Sequence, residues 1–247
     1  MIDFGNTRLK WQCRRDGVVY ATGAVAHAQG TGLLEIVETI AEAVGRDWGR
    51  VWIASVVDPA LEDHLVERIQ EKTRSRVPIE RVRAQAYACG VHSAYTNPEC
   101  LGADRWAALI GAWARTGSAT LVLSLGTAVT CDALDGRGRH LGGVIAPGRG
   151  VLARALAEQT ARLPEVGESG VRSWGRSTRE GIANGITLML EGFVKEMDAL
   201  MSDGTEGTPR RLVTGGDADY PGLEAKARWE TVPGLVFDGL ACLAAQS

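Results

Sequence analysis

Residues 119–125, Ala-Thr-Leu-Val-Leu-Ser-Leu, constrain this fold more than any other stretch of the chain. They are almost continuously apolar, and Gly126 follows at once. A strand with one wet face alternates polar with apolar residues, whereas an unbroken apolar run of this length belongs in the middle of a covered sheet. Gly126 then turns the chain into a second run at 129–134, and a Gly-rich tip at 136–138 leads to a third at 140–145. The start of the chain echoes this pattern. Asp3-Phe4-Gly5-Asn6-Thr7 and Ser124-Leu125-Gly126-Thr127-Ala128 both run from apolar strand through glycine and a hydroxyl residue into a second strand. A duplicated domain with a ligand between its halves leaves such an echo. The 247 residues are enough for two domains. The expected division is 1–117 and 118–247.

The remaining periodicities predict a mixed α/β chain. Strands are expected at 8–13 and 18–22 around Asp16-Gly17, at 50–57, at 77–82 and at 210–214. Leu33, Ile36, Val37, Ile40 and Val44 mark one helix face. Asp58 caps a second helix that has Pro59 in its first position. A third follows residue 102, with Trp106, Leu109, Ile110 and Trp113 inward and Gly117 as terminator. Further helices are expected at 150–162, 178–200 and 235–245, the middle one capped by Ser177 with Glu180. Residues 84–103 and 202–209 read as loops.

Net charge is −3, from 27 basic and 30 acidic side chains, which gives no reason to expect nucleic acid as a main partner. The five cysteines, at 13, 89, 100, 131 and 242, are odd in number and show no C-x-x-C spacing. That fits a reducing, cytoplasmic setting and gives no support for structural zinc. The first residues lack the basic-then-apolar run of a signal peptide, and no stretch reaches the roughly 20 apolar residues of a membrane span.

Three Gly-rich strand ends could carry chemistry. Asp3, Gly5, Asn6 and Thr7 place a carboxylate, a close-approach glycine and several donors within five positions. Such a turn can wrap a phosphate with N–H groups, and Asp3 could hold hydrated magnesium; a plain β-turn is the other reading. Gly126-Thr127-Ala128 and Thr214-Gly215-Gly216-Asp217 are the second and third. Gly102-Ala103-Asp104-Arg105 sets a potential base beside a guanidinium able to pair with a carboxylate or phosphate, although Asp-Arg near a helix start is also an ordinary surface pair. The four histidines, at 27, 64, 92 and 140, are scattered and read as surface or structural side chains.

Taken in order, these segments resemble the type III pantothenate kinase family, which includes the Bvg accessory factor proteins. The resemblance rests on 3–10 (Asp-Phe-Gly-Asn-Thr-Arg-Leu-Lys), 95–105, 126–132, 142–148, 177–182 and 214–218, and spans nearly the whole chain. It implies two ribonuclease-H-like α/β domains of the acetate and sugar kinase, Hsp70 and actin superfamily, with a cleft between them. It implies phosphorylation of pantothenate by magnesium-ATP in coenzyme A synthesis, and a homodimer with pantothenate near the subunit interface. It places Asp3, Gly5, Asn6, Thr7 and Lys10 in the first phosphate loop, Gly126 and Thr127 in the second, and Gly215 and Gly216 near the nucleotide. Tyr95, Gly102, Ala103, Asp104, Arg105 and Thr178 line the pantothenate site, with Asp104 as base.

Two departures from the family pattern stand out. The family has an aspartate two positions before the second loop's glycine, where it binds an activating monovalent cation (potassium or ammonium); here that position is Ser124. A hydroxyl dipole replaces a full charge, so cation binding should weaken or relocate, with Asp132 the nearby carboxylate. In addition, only Met1 and Ile2 precede Asp3, so the first strand is expected to be short, or the start misplaced or trimmed. The alternatives are a regulatory nucleotide-binding member of the family, or a kinase for another hydroxylated acid.

Overall fold

The computed structural model describes residues 1–27, 32–45, 48–74, 76–167, 170–204, 208–218 and 228–246. They fall into two units, Met1–Arg115 with Leu235–Ser247, and Thr116–Gly234.

In the first unit, β1 (Ile2–Phe4) is the centre of a five-stranded sheet. It pairs antiparallel with β2 (Arg8–Arg15), which pairs with β3 (Val18–Ala26). On its other side β1 pairs parallel with β4 (Val51–Ser55), and β4 with β5 (Ile79–Val82), giving the order β3-β2-β1-β4-β5. The β2–β3 turn is Asp16-Gly17, both with positive φ, as a tight two-residue hairpin demands. Period-two alternation sends Ile2, Phe4, Leu9, Trp11 and Ile53 to one face. There they pack against α1 (Leu33–Val44) and α2 (Pro59–Thr73) through Leu33, Ile36, Val37, Ile40, Leu65 and Ile69. The Asp58 carboxylate accepts from the Ala60 amide at 2.9 Å, as expected of the α2 cap.

The second unit repeats the plan. Here β8 (Thr120–Leu125) is central, and β9 (Ala128–Leu134) and β10 (His140–Pro147) extend it antiparallel. On the other side β11 (Arg210–Thr214) and β12 (Glu230–Thr231) join in parallel, giving β10-β9-β8-β11-β12. Leu121, Leu123, Leu125, Val129, Cys131 and Val213 share a core with α4 (Arg149–Gln159) and α5 (Thr178–Gly204). The short motif echo is thus a repeat of five-strand topology, and the two units are the two ribonuclease-H-like domains.

Four expectations differ from the structure. The loop at 84–103 contains a hairpin of β6 (Tyr87–Ala88) and β7 (Val91–His92), whose turn, Cys89-Gly90, has two positive φ values. Helix α5 runs on to Gly204, so 202–204 are helical; 205–207 lie outside the described residues. Its capping box closes with a shift: Ser177 Oγ accepts from the Glu180 amide, while the Glu180 carboxylate reaches the Arg176 amide rather than that of Ser177. Finally, α6 (Leu235–Ala245), expected in the second domain, belongs to the first unit. It contacts β1 and β4 and crosses α3 (Ala103–Thr116) where Gly239 meets Ala107 and Gly111 meets Leu235. A Cβ at either glycine would overlap the facing backbone, and Arg14 adds a 2.7 Å ion pair to Asp238. No helix among the described residues is long and apolar enough to cross a membrane.

Candidate active site

The alternation that buries Ile2 and Phe4 against α1 and α2 turns Asp3 to the opposite face, in register with Lys10 on β2 and Ala54 on β4. Asp3 is half-buried, and burial raises the pKa of its carboxylate from 3.8 to about 6. Lys10 pulls in the other direction, while the Asp104 carboxylate raises it further. Asp3, Lys10 and the sequence-distant Asp104 therefore share one electrostatic environment.

Asp104 stands in the first turn of α3, where the helix N-terminus favours negative charge. Its Oδ1 accepts from the Arg105 amide at 2.7 Å, and a Cβ at residue 102 would stand 2.7 Å from that same oxygen. Gly102 is therefore the residue that lets the carboxylate lie where it does. Arg105 is only 7% exposed; its Nη1 donates to the Tyr95 hydroxyl at 3.1 Å, and its guanidinium lies 5.9 Å from that ring's centroid. The first unit thus brings together Asp3, Lys10, Tyr95, Gly102, Ala103, Asp104 and Arg105. Asn6 and Thr7 are exposed on the β1–β2 turn, which closes through the Gly5 amide donating to the Arg8 carbonyl at 3.1 Å.

In the second unit, Gly126 and Thr127 form the β8–β9 turn, and backbone holds that turn in place. The Gly148 amide donates to the Thr127 carbonyl at 2.9 Å, and the Asp217 amide to the Leu125 carbonyl at 3.0 Å. Side chains at Gly148 or Gly215 would overlap the Gly126 or Leu125 carbonyl, and Gly215 also has φ of 106°. Gly216 is exposed beside it. Gly148, between Pro147 and the start of α4, thus leaves room for the turn, and its place at a strand end marks it in the sequence. Thr178 is the first residue of α5.

Ser124 is half-buried in register with Thr130 and Thr214. Asp132 is the nearby carboxylate on β9. It is buried in register with Val122, and its Oδ1 lies 3.0 Å from Nε2 of the equally buried His140. Among the described residues no group of three or more His, Cys, Asp or Glu is placed to cage a metal.

The type III pantothenate kinase family model matches residues 1–199. The chain belongs to the type III pantothenate kinase family. A type III pantothenate kinase from Halorhodospira halophila is 36% identical over 250 residues, covering 97% of this chain and 95% of that one. Solved structures show the fold alone. A Campylobacter jejuni protein assigned as a Baf family transcriptional activator superposes with a TM-score of 0.61 at 17% identity, over 99% of this chain and 96% of that one. A Sinorhizobium meliloti protein assigned as a 2-dehydro-3-deoxygalactonokinase gives 0.59 at 16% identity, over 99% and 97%. Family and fold agree with the motif order in 3–10, 95–105 and 126–132.

The raised pKa of Asp3 has a stability consequence of fixed sign. Ionising a carboxyl whose folded value exceeds its unfolded 3.8 costs stability. That cost is absent below pH 4, grows between 4 and about 6 and is complete above, at about 2–3 kcal/mol. Asp3→Asn is expected to melt several degrees above the parent at pH 8 and level with it at pH 4. Equal melting at pH 8, read by circular dichroism, would show that the carboxylate is not held against its solvation.

Proposed function

We propose that this chain transfers the γ-phosphoryl group of ATP to the primary hydroxyl of pantothenate, the first step of coenzyme A synthesis. The observation that carries this reading is the grouping of Asp3, Lys10, Asp104 and Arg105 in one unit of a chain of this family. Phosphoryl transfer needs alignment, neutralisation of phosphate charge, and a base at the acceptor hydroxyl. The β1–β2 turn and Lys10 meet the phosphates; Gly126, Thr127, Gly215 and Gly216 meet the nucleotide. Arg105, braced by Tyr95, pairs with the pantothenate carboxylate, and Gly102, Ala103 and Thr178 line the same substrate. Asp104 takes the hydroxyl proton as the hydroxyl oxygen bonds to the γ-phosphorus; the bond to the bridging oxygen breaks and ADP departs.

The residues fit a magnesium ion carried on the nucleotide. Magnesium keeps much of its water and binds through one or two carboxylates plus substrate phosphates, and a desolvated carboxylate beside a second acid, with no all-protein cage among the described residues, is such a partner. Asp3 would hold it, and when bound it supplies positive charge against the phosphates.

The second unit supports assembly as a homodimer. On α5, a Cβ at Gly181, Gly185 or Gly192 would meet nothing within 4 Å among the described residues, so open space lies beside these positions. Leu188 and Met189 are exposed between them, and Trp174, just before the helix, is 96% exposed. Small residues flanked by exposed apolar ones allow a second helix to approach closely.

Three outcomes are expected. The purified chain should form phosphopantothenate from pantothenate and magnesium-ATP, and Asp104→Asn should cut kcat by about 10²-fold or more with nucleotide binding retained. Near-parental turnover in that variant would remove Asp104 from the role of base. Light scattering at micromolar concentration should give twice the mass of one chain; a monomer's mass would overturn the dimer. With Ser124 in place of a carboxylate and Asp132 engaged by His140, the initial rate should be flat against potassium chloride when choline chloride holds ionic strength constant. Saturable activation by potassium would show that a cation site survives.

A further inference from the structure

His27 follows the last residue of β3 and is 8% exposed. Its ring meets Phe4 edge to face, with centroids 5.0 Å apart, and its amide donates to the Thr7 carbonyl at 3.0 Å. Its Nε2 lies 2.8 Å from the Gly5 carbonyl oxygen. A carbonyl can only accept, so Nε2 carries the proton; Nδ1 is buried without a hydrogen-bond partner among the described residues. The Gly5–Asn6 peptide is planar and trans, which sets its C=O and N–H on opposite sides. A carbonyl tied inward to a buried ring therefore holds the Asn6 N–H outward. Without that bond the Gly5 carbonyl would lose its partner on the His27 ring, and the peptide could flip at the small cost a glycine imposes.

We propose that His27 is a positioning residue for the first phosphate turn, holding the Gly5–Asn6 peptide so that the Asn6 amide faces the nucleotide phosphates. This rests on the reading that the turn receives ATP. The ring touches neither substrate; it acts through Gly5. Oriented amides are effective toward phosphate because no reorganisation is needed when the ligand arrives.

The test compares His27→Phe with His27→Gln in the full chain. Phenylalanine keeps the contact with Phe4 and loses the donor; glutamine keeps an N–H of similar reach. His27→Phe is expected to raise KM for magnesium-ATP about tenfold while KM for pantothenate stays within about twofold, and His27→Gln is expected to recover most of that loss. An unchanged ATP KM in folded His27→Phe, equal change in both KM values, or no recovery by glutamine would overturn the proposal. Long-range ¹H–¹⁵N spectra of the parent protein supply a readout independent of variant folding. The Nε2–H tautomer and a shift of the Asn6 amide on adding magnesium-ADP are expected; the Nδ1–H tautomer or an unmoved amide would sink it. A parent protein that binds magnesium-ADP in this way yet leaves pantothenate unphosphorylated would fail the substrate assignment alone.

Discussion

The first unit is organised around a three-residue strand that carries a half-buried carboxylate at its middle position. Only Ile2, Asp3 and Phe4 form β1, yet that strand holds the centre of the sheet, with β2 on one side and β4 on the other. Its two apolar residues are fully committed to the core under α1 and α2. The backbone pleat then leaves Asp3 no freedom of direction. Rotating it to water would slip the register and expose Ile2 and Phe4, each worth about 1.5–3 kcal/mol of burial. Core packing thus enforces the cost of a strained acid, and the acid's position relative to Lys10 and Asp104 follows from that packing.

Much of this was legible in residue order. Unbroken apolarity at 120–125 identifies a central strand, and β8 is one. Asp16-Gly17, Asp58-Pro59 and Gly117 mark their turn, cap and stop because each works through its own backbone geometry. The elements that were missed are those stabilised by partners far along the chain. A two-residue strand such as β6 carries too few side chains to show a period. The place of α6 is set by Gly111 and Gly239, 128 positions apart, each of which reads alone as an unremarkable helical glycine.

The site shows the same division. Gly102, Asp104 and Arg105 are adjacent, so their chemistry can be read as a motif; that Asp104 shares a field with Asp3 cannot. Asp132 was legible as a nearby carboxylate but not as the partner of His140, because antiparallel pairing of β9 with β10 makes that contact. His27 escaped for a similar reason. Among four scattered histidines nothing marks it until β3 folds back along β2 and brings it under the Gly5 carbonyl. Gly148 needed the turn at 126–127 to be built before its lack of a side chain acquired a purpose.

The assignment of α6 to the first unit bears on the order in which the protein forms at the ribosome. The second unit is continuous, Thr116–Gly234, whereas the first is split around it. Synthesis therefore completes the second unit before the residues that cover Gly111 and pair with Arg14 have been made. Until then α3 presents to solvent a surface shaped for another helix, and β1 and β4 lack the contact that α6 supplies. The later-starting half can settle while the earlier one waits, which reverses the usual N-to-C order of domain folding. On the nascent chain, the α3 face at Ala107 and Gly111 stays open until α6 emerges to cover it.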